Sequence, residues 1–308
     1  HAYFGHDDWA ATAPGLKTLA DALRIRARIL TAFEHAESCT DAQQAQQHLT
    51  FVIVGAGPTG VELAGTMAEI SRHTLQREFR RIDPTTAKVI LVEAGPRVLP
   101  AFPPDLSASA QRQLERLGVI VRTGAPITHV DAGGVKIGSE FIAARTVLWA
   151  AGVTASPLAR SLGVPLDRSG RVPVQPDLSI PGHAEIFVAG DLAAVSSARG
   201  PVPGIAPAAK QMGGYVAQAI EARLADRTPA PFRYRHYGLL ATIGRMAAVV
   251  DLGRLRFSGL LAWWFWLLAH VYFLIGFRNR LVVLIDWAGA YWSYHRSARI
   301  VTGENDQS

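Results

Sequence analysis

The chain has 308 residues, 49% hydrophobic and 18% charged, with a net charge of +6 and a single cysteine, Cys39. That composition excludes a disordered polyelectrolyte, a disulfide-stapled scaffold and a cysteine zinc site within the chain, and the length suits about two domains. The charge is uneven: from Pro231 to Ser308 nine Arg and no Lys stand against four acids, and five of the seven Trp (Trp263, Trp264, Trp266, Trp287 and Trp292) lie in the same stretch. Arginine with tryptophan points to a membrane surface or a nucleic acid. The long apolar runs between the Trp residues favour the membrane, and no polar basic face suits a nucleic acid.

The chain opens on His1, in mid-stride, and is read as the remainder of a longer protein. Residues 1–15 read as a loop ending in Ala13-Pro14-Gly15. Leu16 to Glu37 carries Leu19, Leu23, Ile25, Ile29, Leu30 and Phe33 in a helical pattern. The Gln-rich polar residues 38–48 read as a connector.

The next stretch, FVIVGAGPTGVELAGTMAEI from Phe51 to Ile70, gives an apolar strand, a glycine turn and a small-residue helix. This is the context of a dinucleotide fingerprint. Gly55 permits the tight turn, Gly57 lets a pyrophosphate approach the backbone, and Gly60 lets helix and strand pack closely. Pro58 and Thr59 open the helix, whose free N–H groups and positive dipole end suit phosphates. The plain alternative is a structural βα turn. Asp83-Pro84 then closes a basic, exposed stretch with Arg72, Arg77, Arg80 and Arg81.

Lys88 to Val92 is the second strand and ends on Glu93. An acid there accepts hydrogen bonds from the adenosine ribose hydroxyls and repels a 2′-phosphate, which favours NADH over NADPH; nearby Arg97 pulls the other way. A solvated strand-end Glu is the alternative. Leu106 to Leu117 reads as a helix stopped by Gly118, Val119 to Val121 as a strand, and Asp131 to Ile142 as a hairpin around Gly133-Gly134. Thr146 to Gly152 is a buried strand ending in small residues, where another chain segment or a cofactor can come close.

Ile186 to Asp191 is an apolar strand ending on Gly190-Asp191, which places the acid at a strand C-terminus. A helix from about Pro207 runs through Ala208, Gln211 and Ile220, its positive end free to face an anionic group. A turn Asp and an ordinary helix are the alternative. Gly259 to Phe277 is apolar apart from His270, with Arg254 and Arg256 before it and Arg278 and Arg280 after it. It reads as a membrane span, an interfacial segment or a buried core helix, with His270 and Asp286 favouring the interface.

The order GAGPTGVELAG, VLVEAGPRVLP, VLWAAGV, IFVAGDLA, APAAKQMG and a Trp/Arg-rich tail, together with the opening HAYFGHDDWA, resembles the type II NADH dehydrogenases. The resemblance covers essentially the whole chain. It implies an α/β flavoprotein with two Rossmann-like dinucleotide-binding domains, for FAD and NADH, and a C-terminal membrane-associating helical segment. Residues 1–49 would be a remnant of the FAD domain and a connector, 50–152 the NADH domain, 153–235 the second part of the FAD domain and 236–308 the membrane-associating region.

By the same resemblance Gly55, Gly57 and Gly60 bind the NADH pyrophosphate and Glu93 its ribose. Glu62 is the acid near nicotinamide and flavin, with a dipole-stabilised Glu as its alternative role. Gly152, Gly190, Asp191 and Ala208 belong to the cofactor site, Asp191 on the FAD ribityl chain, and Gln211 lines the quinone pocket. The implied activity is non-electrogenic transfer from NADH through FAD to a membrane quinone, at the cytoplasmic face of the inner membrane, with a homodimer kept open and no metal.

No second glycine fingerprint precedes Gly55, so the chain as given is expected to hold part of an FAD site and to bind FAD poorly. The rival readings are a soluble flavin reductase serving a small redox protein and a catalytically incomplete nucleotide-binding, membrane-associated piece.

Overall fold

The computed structural model describes residues 1–197, 200–274 and 276–293, with side chains through Trp287; the Trp292 side chain and residues 294–308 lie outside the described residues. The chain forms two compact units, His1–Gly152 with Gly238–Ser308, and Val153–Tyr237.

The first unit is built on a parallel sheet. Its strands are β1 (Thr50–Val54), β2 (Lys88–Val92), β3 (Val119–Arg122) and a later strand, Thr146–Trp149, in the order β3-β2-β1 and then that strand. The fully buried runs TFVIV and TVLW are what a parallel strand covered on both faces requires. Side-chain alternation divides the core in two. Phe51, Ile53, Val89 and Leu91 face one cluster with α1 (Leu19–Ser38), α3 (Pro58–Glu69) and α4 (Pro104–Arg116). Val52, Val54, Ile90 and Val92 face the other, with Tyr3, Trp9 and Trp149. The antiparallel strands β4 (Ile127–Asp131), β5 (Gly134–Ile137) and β6 (Glu140–Ala143) lie on that second side and precede Thr146–Trp149, hence β7.

Three local expectations need correction. The first helix starts at Leu19, not Leu16, because Thr18 forms a capping box: its hydroxyl accepts from Asp21 N–H at 3.1 Å and its own N–H donates to Asp21 Oδ2 at 2.9 Å. The connector contains helix α2 (Ala42–His48), N-capped by the Asp41 carboxylate on Gln43 N–H at 2.8 Å. Arg72 is not simply exposed; its guanidinium donates to the Leu117 and Gly118 carbonyls at the end of α4, where a cation opposes the helix dipole.

The second unit carries short strands, β8 (Val172–Pro173), β9 (Ser179–Ile180) and β10 (His183–Phe187), then β11 (Ala193–Ala194), β12 (Ser196–Ser197) and β13 (Gly200–Pro201), and helix α5 (Ala206–Leu224). Its core joins Val172, Leu178, Ile180 and Val188 to Ala208 and Met212 of α5.

The chain re-enters the first unit as an antiparallel meander, β14 (Leu239–Gly244), β15 (Ala247–Asp251) and β16 (Arg256–Ser258), so the C-terminal region is not helical throughout. It packs on α3 at Gly65, where a Cβ would fall 1.5 Å from the Ile243 carbonyl oxygen; backbone meets backbone there. Helix α6 (Leu260–Phe273) then lays Ala262, Trp263, Leu267 and Val271 on Ala248 and Val250. It ends before the expected Phe277, because Leu274 is extended; α7 (Phe277–Ser293) follows. Fourteen residues at ~1.5 Å each cover about 21 Å, short of the ~30 Å hydrocarbon core. Among the described residues no helix is long and apolar enough to cross a membrane, so Gly259–Phe277 is not one spanning helix. Nor is it simply core: Leu261, Trp264, Leu268 and Tyr272 are exposed.

Candidate functional site

In the first unit the strand order reverses between β1 and β7, with β2 and β3 on one side of β1 and β7 on the other. Ligands of open α/β sheets bind outside the strand C-termini at such a switch point. Val54 pairs with both Val92 and Trp149, so the next residues of all three strands, Gly55, Glu93 and Ala150–Gly152, reach one edge together.

Each glycine of the turn meets a different constraint. Gly55 has φ +99°, and a Cβ on it would lie 2.6 Å from the Ala151 backbone. Gly60 packs α3 on the turn: its Cβ would be 1.8 Å from the Gly55 carbonyl oxygen. Gly57, the N-cap of α3, has φ −69°, which any residue adopts, and a Cβ there would meet nothing within 4 Å. The fold therefore does not ask for glycine at position 57, whereas a pyrophosphate lying against the backbone would. No side chain caps α3, and Pro58 and Thr59 are exposed beside its N-terminus. A dinucleotide phosphate fits this cradle.

Glu93 sits across the turn. Its Oε2 accepts from Ala56 N–H at 2.7 Å and its Oε1 from Gly95 N–H at 2.8 Å. The carboxylate braces the glycine turn, and each oxygen keeps a second lone pair for a ribose hydroxyl. Glu62, one turn into α3, is half-buried, and burial raises its pKa above the ordinary carboxylate value; the Thr242 backbone N–H opposes that shift. That donor comes from β14, 180 residues further along the sequence, and being main chain it left no residue-type signal. Gly152 has its own neighbour: a Cβ would lie 2.9 Å from the Phe4 ring and 3.0 Å from Ala2 Cβ. Of the two partners expected at these small residues, the structure supplies a chain segment.

The second unit gathers Gly190, Asp191, Ala208 and Gln211 by itself. The strand ends at Phe187, short of the expected Gly190-Asp191, which instead open a single 3-10 turn. Gly190 N–H points to Met212 Sδ at 3.1 Å, and a Gly190 Cβ would meet Ala209 Cβ at 3.4 Å, so this turn sits on the start of α5. Asp191 is exposed and Ala208 buried. No side chain caps α5, and its exposed first turn suits an anionic or electron-rich group such as a flavin edge.

Gln211 is committed to the backbone. Its Nε2 donates to the Arg235 carbonyl at 2.9 Å, and its Oε1 accepts from Arg235 N–H at 2.9 Å. It holds the segment leading to Tyr237 as a neighbouring strand would. Gln211→Leu is expected to lose both bonds, about 1–2 kcal/mol at two modest hydrogen bonds. The Arg235 amide should then exchange faster with deuterium; an unchanged Arg235 exchange rate would contradict this role. Among the described residues no group of three His, Cys, Asp or Glu could hold a metal ion.

A family model of the pyridine nucleotide-disulphide oxidoreductases matches residues 14–213, and one of the NDH2 C-terminal domain matches residues 236–292. Over 98% of its length the chain is 45% identical to the type II NADH:quinone oxidoreductase Ndh of Mycobacterium tuberculosis, and 43% identical to NdhA of the same organism. It covers 67% of each, so it spans about two thirds of their length. The structure of NDH2 from Plasmodium falciparum in complex with NADH shares the fold with a TM-score of 0.88 at 17% identity, over 97% of this chain and 77% of that one. Fold, fingerprint and sequence agree: the chain belongs to the type II NADH:quinone oxidoreductases, within the pyridine nucleotide-disulphide oxidoreductase family.

Proposed function

We propose that the protein oxidises NADH and reduces a membrane quinone as a flavin-dependent, non-electrogenic oxidoreductase. The observation that carries the NADH half is Gly57, a glycine that the fold leaves unconstrained at the mouth of a phosphate-binding turn. In this reading residues 50–152 bind NADH, 1–49 and 153–235 are parts of the FAD-binding domain, and 236–308 form the membrane-associating region. Bound FAD supplies the redox chemistry, accepting a hydride equivalent and delivering two electrons. The chain's own residues position and tune. The α3 N-terminus neutralises the pyrophosphate, Glu93 holds the ribose and disfavours a 2′-phosphate, and half-buried Glu62 provides a carboxyl that burial makes readier to hold a proton than an exposed one. Asp191 and Ala208 would hold the flavin, and the uncapped start of α5 would favour negative charge on it. Gln211 holds the segment that borders the quinone. The exposed apolar face of α6 supports attachment to a membrane surface, which we place on the cytoplasmic side.

The test is the visible spectrum of the protein expressed from its natural reading frame and purified from membranes. A flavin band near ~450 nm is expected to bleach with NADH and return with a soluble quinone. A band that bleaches but does not return assigns another acceptor; a protein without flavin ends the enzyme reading.

A further inference from the structure

A cavity lies away from the glycine turn. It has a volume of about 530 Å³ and is lined by Ser109, Arg112, Gln113 and Arg116 of α4, Ser258 of β16, and Gly259-Leu260 at the start of α6. All belong to the first unit. Arg112 and Arg116 stand one turn apart on one flank of α4, and neither has an acid partner among the described residues. Nearby charges are otherwise engaged. Arg256 is shared between Asp251 at 3.4 Å and Asp105 at 4.0 Å, and Glu115 accepts from Gln111 Nε2 at 2.9 Å. The N-cap of α6 is Gly259, which offers no side chain to the first-turn N–H groups. Ser109 Oγ donates to Ser258 Oγ at 2.9 Å, which leaves the Ser258 hydroxyl proton to join two unpaired guanidinium groups and an uncapped helix start as a donor set for an anion with several oxygens. Gln113 on the same wall is only 7% exposed, and its Oε1 has no hydrogen-bond partner among the described residues.

What lies next to the cavity selects the source of that anion. Leu260 lines it, and at steps of four residues along α6 come Trp264, Leu268 and Tyr272, which are 49%, 51%, 62% and 69% exposed in that order. Rows at this spacing form a ridge on a helix. The ridge runs for about 18 Å at ~1.5 Å per residue, away from the arginines. A free phosphate would need only the polar cavity, whereas a phospholipid needs a polar pocket opening onto an apolar ridge. The geometry points to a phosphodiester headgroup site, by which the enzyme docks on an anionic lipid bilayer with the α6 ridge in the apolar layer. This rests on the membrane-surface reading above and adds a lipid class to it.

The test is vesicle co-flotation of the intact holoenzyme, with vesicles of phosphatidylcholine alone or mixed with phosphatidylglycerol. The Arg112→Gln, Arg116→Gln double variant is expected to lose about tenfold or more of its affinity for the anionic vesicles and to keep its weak affinity for the neutral ones. The Arg77→Gln, Arg80→Gln variant, with the same change in net charge elsewhere, is expected to bind as wild type. Equal losses in the two double variants, or none in the first, would overturn the headgroup site while leaving membrane attachment intact. Trp264→Asp with Leu268→Asp should lose both vesicle types. If it floats like wild type, or shifts a dimer to monomer with flotation unchanged, the α6 face is not a lipid surface and the proposal falls with that reading. Inorganic phosphate that binds the wild type, and not the Arg112→Gln, Arg116→Gln variant, while leaving flotation on anionic vesicles unchanged at constant ionic strength would assign the cavity to free phosphate and overturn the lipid.

Discussion

Gly57→Ala is expected to fold normally and to lose NADH. The residue already has φ −69°, and the added methyl meets nothing within 4 Å, so Tm should stay within experimental error of wild type. The same methyl projects from the N-cap of α3, where the proposed site brings the pyrophosphate against the main chain. KM for NADH should rise about a hundredfold, the scale on which an ångström of misplacement acts. Gly60→Ala is the control with the opposite signature. Its methyl would be driven to 1.8 Å from the Gly55 carbonyl oxygen, an overpacking against backbone that no rotamer relieves, at a cost of about 1–3 kcal/mol or more. The experiment is a melt and an NADH titration on both variants. A Gly57→Ala enzyme with an unchanged KM would move the pyrophosphate away from this turn.

That contrast also shows what a sequence can disclose. The fingerprint was legible because each of its demands is local: Gly55 by its positive φ, Gly60 by contact five residues back, Glu93 by ending the neighbouring strand. Helix α2 was missed although Asp41 is a good N-cap, because its seven residues bury no side chain and leave no apolar period to read. The end of α6 was missed because Val271 to Phe277 is uniformly apolar, and the break at Leu274 with Gly276 at φ +82° does not interrupt hydropathy. The partners of the two residues expected nearest the chemistry were invisible for a deeper reason. Glu62 meets the Thr242 main chain and Gln211 the Arg235 main chain. Backbone donors carry no residue identity, so only the fold reveals them. The Gly65 contact with the Ile243 carbonyl is of the same kind, and it is what delivers β14 to Glu62.

Glu62→Gln is expected to make the protein more stable and less active at pH 7. Burial raises the Glu62 pKa in the folded protein above its ordinary 4.5. Below that value the carboxyl is neutral in both states and costs nothing. As pH rises through 4.5 the unfolded chain releases a proton that the folded chain still holds, and stability falls until the folded value is passed. Gln is neutral throughout, and its amide oxygen can still accept from Thr242 N–H. Tm should therefore rise by a few degrees at pH 7 and not at pH 4. Turnover should move the other way, with kcat down about a hundredfold and one limb of its pH profile flattened, as removal of a general acid–base group requires. Loss of activity through unfolding is ruled out by the same melt, because the less active variant is the more stable one. A stabilised Glu62→Gln enzyme with full kcat would make Glu62 a packing residue whose charge is merely tolerated. A variant with no pH-dependent gain would show that the carboxyl is better solvated than its burial implies.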